Sequence, residues 1–211
     1  MIFSFYKVIV CVVLLSVDLN DAFQSASVFS KGDDIRPSVI VFDPDKTVWP
    51  FQVADLKTPL HVKNKNVIVD QAFNHLKIYR QIPSVFTELR SRGFKLALIS
   101  QSTDNNTVCQ LIDHFNLRRF LTHIEIYPGN KTDHFEVIHL KEDLWYGEML
   151  YLVSKFEDVE PIADLGVACI LVNEGGITMR DVRKGFHIFS TESPEYSYSE
   201  DTHESSYLFK E

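Results

Sequence analysis

From Pro37 onward, apolar runs of four to six residues alternate with amphipathic stretches of ten or more. That alternation predicts parallel strands joined by crossover helices. Strands are expected at residues 38–42, 94–100, 122–127, 149–153 and 167–172. Their near-continuous apolar character, with Val, Ile and Tyr frequent, suits strands covered on both faces. Pro83 in a first turn and Gly93 just past Arg92 bracket one helix. Asp104 or Asn105 can cap a second running to Phe115, and Gly166 ends a third that follows Asp158. Arg180, Arg183 and Lys184 fall on one further helix and read as a solvated face. Between Trp49 and Arg80 the chain is polar and irregular, with one strand-like run, Val67 to Val69. This stretch reads as a hairpin flap over the strand ends. From Thr191 to Glu211, Ser, Glu and Tyr occur without periodicity, and a disordered tail is expected. The expected fold is α/β: a three-layer, Rossmann-like parallel sheet with a small β-hairpin flap.

Composition narrows this picture. With 211 residues, 45% of them hydrophobic and 24% charged, the chain can fill one core but hardly two. One domain over residues 37–190 is expected. A formal net charge of -8 and the lack of any Lys/Arg run argue against a nucleic-acid partner, because a polyanion is repelled by such a surface. The strongly lipophilic stretch from Met1 to Val17 is halted by Asp18. It is short for a span of about 20 apolar residues and reads as a signal peptide over residues 1–22. A secreted or secretory-pathway protein with no stable membrane span in the mature chain is therefore expected, and a cytoplasmic one if the segment is not a functional signal. Cys109 and Cys169 permit one disulfide without implying it. Asn105 and Asn130 begin N-x-Thr sequons.

Chemistry should be sought just after each strand, since open parallel sheets bind ligands at their carboxyl ends. The first strand runs directly into Asp43-Pro44-Asp45-Lys46-Thr47. Two carboxylates at that spacing can divide the work of phosphoryl transfer: one attacks phosphorus while the other protonates the leaving oxygen. A divalent cation would keep the first ionised and screen it from the phosphate. The same five residues would also make an ordinary turn or helix cap.

The segment Asp43 to Phe51 resembles the first motif of the eukaryotic magnesium-dependent phosphatase family of the haloacid-dehalogenase (HAD) superfamily, in which D-x-D-x-T is followed by an aliphatic residue and W-P-F. Ile126 to Phe135 is similar to that family's I-Y-P-G-x-K-x-x-H-F, and Leu165 to Ile170 gives a third match. The three lie in the same order, within a resemblance covering residues 37 to 189. The resemblance implies a HAD fold with Asp43 as nucleophile and Asp45 as general acid, then base. It implies that Ser100 binds the phosphoryl group and that Lys131 neutralises it. Magnesium would be held by Asp43, Asp45 and Asp158. The family's acidic pair after the fourth strand falls on Val153 and Ser154, which supply no carboxylate, so the Mg²⁺ site is expected to be degraded. Asp158 could restore it through a water, or could belong with Glu157 to the acidic first turn of a helix. Gln101 stands where an arginine is frequent.

The implied substrate is a small phosphorylated metabolite or a phosphotyrosine-like ester. An alternative is a secreted pseudophosphatase that binds a phosphorylated ligand or a protein partner without turnover. A transferase or mutase using the same aspartyl-phosphate is a third possibility, since the motifs do not fix the acceptor. Trp49, Phe51 and Tyr127 flank the site as pocket or core aromatics. His123, His134 and His139 show no metal-ligand spacing and are assigned no function.

Overall fold

The computed structural model describes residues 36–64 and 67–192. The expected signal segment and residues 193–211 of the expected tail lie outside them. Thr191 and Glu192, assigned to that tail, instead complete the last helix.

Five strands, β1 (Val39–Phe42), β5 (Lys95–Ser100), β6 (His123–Ile126), β7 (Met149–Val153) and β8 (Ala168–Leu171), form one sheet in the order β6-β5-β1-β7-β8. Every pairing is parallel. Each strand falls within its expected stretch. The flap is more than a hairpin: β2 (His61–Asn64), β3 (Val67–Val69) and β4 (His75–Leu76) make a three-stranded antiparallel sheet. Its Ile68 and Leu76 are buried in the same cluster as Trp49 and Val53.

Side chains of β1 alternate between two cores. Ile40 and Phe42 face one, together with helices α1 (Ile82–Ser91), α2 (Asn105–His114) and α5 (Met179–Glu192). Val39 and Val41 face the other, together with α3 (Lys131–Glu142) and α4 (Val159–Ala163). Burial on both sides is what makes these strands uniformly apolar. It also keeps the cysteines apart: Cys109 packs on the first core and Cys169 lies in the second, and they form no disulfide. Asp104 is the residue that caps α2, accepting the Thr107 amide at 2.9 Å. Gly93 follows α1 at φ 85°, a left-handed conformation that glycine adopts without strain.

Chain order decides where the site can form. After β1 the chain runs outward through β5 and β6, then returns to the opposite side of β1 as β7. The reversal opens a crevice at the carboxyl ends of β1 and β7. Asp43 follows one of these strands and Ser154 the other.

Tyr151, in the middle of β7, is fully buried with its ring edge-on to Phe135 at 5.1 Å. Its hydroxyl is the one buried side-chain polar atom without a hydrogen-bond partner among the described residues. Burial first, and then the negative charge of Asp43 and Asp158, push this phenol well above its ordinary range. A buried hydroxyl without a partner carries its desolvation cost uncompensated. Tyr151→Phe is therefore expected to leave the denaturation midpoint unchanged or to raise it. A loss of more than about 1 kcal/mol would show that the hydroxyl has a partner in solution.

Candidate active site

The loop after β1 is wound tightly. The Pro44 carbonyl accepts the amides of Thr47, Val48 and Trp49 at 3.2, 2.9 and 3.2 Å, and the Thr47 hydroxyl donates to the Asp43 carbonyl. Lys46 turns the chain at φ 62°, and its ammonium donates to the Pro50 carbonyl at 2.8 Å. This winding folds Asp45 back so that its amide donates to Asp43 Oδ1 at 3.2 Å. Asp45 Oδ1 accepts the Trp49 indole N–H at 2.8 Å, and Oδ2 accepts the Val53 amide at 3.2 Å. Trp49 is fully buried, so it orients the second carboxylate and does not line a pocket. Phe51 stacks on it at 5.7 Å.

Lys131 opens α3. Its ammonium donates to Asp43 Oδ2 and, at 2.6 Å, to Asp158 Oδ2, and the side chain is only 6% exposed. Asp158 precedes α4 without capping it through its side chain. Its carboxylate is directed to Lys131 and not to the helix end. One turn after Lys131, the fully buried His134 ring stacks on Tyr127 at 4.0 Å. His134 Nε2 lies 3.1 Å from the carbonyls of Ser100 and Tyr127, and Nδ1 lies 2.9 Å from that of Asn130. The ring thus ties the end of β5 to the turn that presents Lys131. Sequence reasoning assigned His134 nothing, although it lies within the Ile126 to Phe135 motif. Ser100, 7% exposed, ends β5 on the same sheet edge as Asp43 and accepts the Ser102 amide at 3.3 Å. Gln101 donates to the Gly129 carbonyl at 2.6 Å, fastening the same loop from outside.

Three acid–base properties follow. Burial raises the Asp45 carboxyl to about 6, against the Trp49 hydrogen bond, which lowers it. Burial works against the Lys131 charge, but Asp43 and Asp158 outweigh it and raise its pKa. Asp43 is raised by burial, with Lys131 acting in the opposite direction.

Residues 35–192 match the acid phosphatase family. The chain belongs to that family. It is 30% identical over 155 residues to magnesium-dependent phosphatase 1 of Homo sapiens, covering 73% of this chain and 88% of that protein. It is 27% identical over 143 residues to a HAD-like hydrolase superfamily protein of Schizosaccharomyces pombe, covering 62% and 83%. Among solved structures, a HAD-superfamily hydrolase from Ehrlichia chaffeensis superposes with a TM-score of 0.53 at 9% identity, over 73% of this chain and 98% of that one. At that identity the likeness speaks for the fold alone.

A magnesium ion is implied by the human relative's name and by the family resemblance, and the residues here fit it poorly. Val153 is fully buried in the apolar core, and the Ser154 hydroxyl donates to the Asp45 carbonyl at 2.9 Å. The Asp45 and Asp158 carboxylates already have donors. Among the described residues no group of three or more His, Cys, Asp or Glu could hold a metal ion. Of the nominated ligands, Asp43 and Asp158 meet at Lys131, while the Asp45 carboxylate is held by Trp49 and Val53.

Because Lys131 is the ammonium shared by the buried Asp43 and the half-buried Asp158, Lys131→Met should cost about 3–5 kcal/mol in denaturant unfolding, the range for breaking a buried ion pair on one side. A loss below about 1 kcal/mol would mean that another cation balances Asp43 and Asp158.

Proposed function

We propose that this chain hydrolyses phosphomonoesters through an aspartyl-phosphate on Asp43. The observation that carries the reading is Lys131 joined to Asp43 while the Asp45 amide fixes the other Asp43 oxygen, with Asp45 itself held two residues on. In the first step an Asp43 carboxylate oxygen bonds to phosphorus, the ester P–O bond breaks, and the leaving oxygen takes a proton from Asp45. In the second, water attacks the same phosphorus and gives its proton to Asp45, and orthophosphate leaves with Asp43 restored. Lys131 and the Ser100 hydroxyl serve the equatorial oxygens, where positive charge and hydrogen-bond donors stabilise phosphoryl transfer. Membership of a phosphatase family and the human relative's name support this chemistry. Small phosphorylated metabolites or aryl phosphates are the substrate class we infer, and the apolar run ahead of Asp18 supports a secretory location.

One observation favours a second reading, in which the protein binds a phosphorylated ligand without turning it over: the Ser154 hydroxyl occupies the Asp45 carbonyl on the side facing β7.

Turnover of p-nitrophenyl phosphate separates the two. The hydrolase reading predicts activity that Asp43→Asn abolishes. It also predicts a pH profile set by Asp45, whose folded-state pKa of about 6 lies above the ordinary 3.8. The acid must be protonated for the first step, so kcat/KM should fall about tenfold per pH unit above an alkaline limb near 6. Activity retained in Asp43→Asn would refute the mechanism. A purified wild type without turnover would favour the binding protein.

A further inference from the structure

We propose that Ser154 and Lys155 take over the position and the charge of the divalent cation, so that the site binds the phosphoryl group without a metal. This rests on the reading of Asp43, Asp45 and Lys131 as a phosphoryl site and specifies what else holds the anion there.

The backbone carbonyl of Asp45 stands at the switch point between β1 and β7, where a hard cation would need oxygen ligands. Magnesium demands a near-octahedral oxygen shell and draws much of its affinity from anionic ligands. Here the Ser154 Oγ donates its single proton to that carbonyl at 2.9 Å. A donor in that place satisfies the oxygen that a cation would otherwise claim, and it brings no negative charge to attract one.

The charge balance points the same way. Asp43, Asp45 and Asp158 bring three carboxyl groups, and Lys131, in contact with Asp43 and Asp158, balances one full charge. A phosphate dianion arriving there needs further positive charge. Lys155 follows Ser154 directly and, half-buried, lines a cavity of about 600 Å³ beside the site with Lys46, Ser154, Gln52 and Tyr79. Its ammonium draws the Asp45 carboxyl downward, against the larger effect of burial. Glu174 is the acidic residue of the lining, which carries two ammonium groups against one carboxylate. Such a cavity attracts an anion without help from a dication, because hydrogen bonds from ammonium to phosphate oxygens are charge-assisted and strong.

The test is calorimetric titration of the full-length chain with inorganic phosphate, in EDTA and separately in excess Mg²⁺. The Kd should agree within about twofold between the two buffers. Lys155→Gln should weaken binding in EDTA about tenfold, the loss expected for one charge-assisted hydrogen bond, with an unchanged melting temperature showing that the fold survives. Ser154→Asp, which restores a carboxylate next to the Asp45 carbonyl, should make phosphate binding depend on Mg²⁺. Wild-type binding that appears only with Mg²⁺ would overturn the inference and leave the phosphoryl-site reading standing. Absence of phosphate binding in both buffers would sink both. Lys155→Gln binding phosphate as tightly as the wild type would remove Lys155 from the account.

Discussion

The ammonium of Lys131, buried at the amino end of α3, is shared between the carboxylates of Asp43 and Asp158. Those two residues follow different strands, and α3 returns between them, so one positive charge fastens three segments of the chain at the switch point. Burying any of the three groups alone would be strongly unfavourable. Each therefore requires the others, and the loops around them are built to keep them in register. The Pro44 carbonyl winds the loop after β1, Trp49 fixes Asp45, and His134 binds the turn before α3 to the end of β5.

The same constraint shapes the chemistry. On the proposed mechanism Asp43 is the nucleophile, and the Lys131 ammonium in contact with it favours its ionised form against the larger effect of burial. Asp45, two residues on, is half-buried without a lysine in contact and has its pKa raised to about 6. Two carboxyl groups on one short loop thus have different surroundings, which in the proposed mechanism suit one to attack and the other to donate a proton, a division recurrent in acid–base catalysis. In the proposed account Ser154 and Lys155 extend the pattern, the one satisfying the Asp45 carbonyl and the other lining the adjacent cavity.

The sheet was legible because strands buried on both faces must be continuously apolar, and all five lie where such runs occur. Helix α3 gave no comparable signal. Its buried face consists of Lys131, His134, Phe135 and Ile138, so two of its four inward positions are polar and no apolar stripe marks it. The third flap strand, His75–Leu76, is too short to show alternation. Asp43 and Asp45 could be nominated from strand-end position and spacing, whereas Ser100 and Lys131 emerged through the family resemblance, since a serine and a lysine at strand ends are unremarkable by themselves. The part played by Trp49 was hidden for a different reason: an aromatic residue beside the site reads as pocket lining or core, and only the fold shows its indole N–H directed at Asp45. Asp158 was read as a water-mediated metal ligand or an acidic helix start because its partner lies 27 residues earlier in the chain.

The central claim is that phosphorus bonds to Asp43, and trapping that bond tests it most directly. The chain would be mixed briefly with a radiolabelled aryl phosphate, quenched in acid and digested. The account predicts label that survives acid, is released by mild alkali as an acyl phosphate should be, and resides on the peptide containing Asp43. Product formation under the same conditions with no label on that peptide, or label on a different residue, would contradict it.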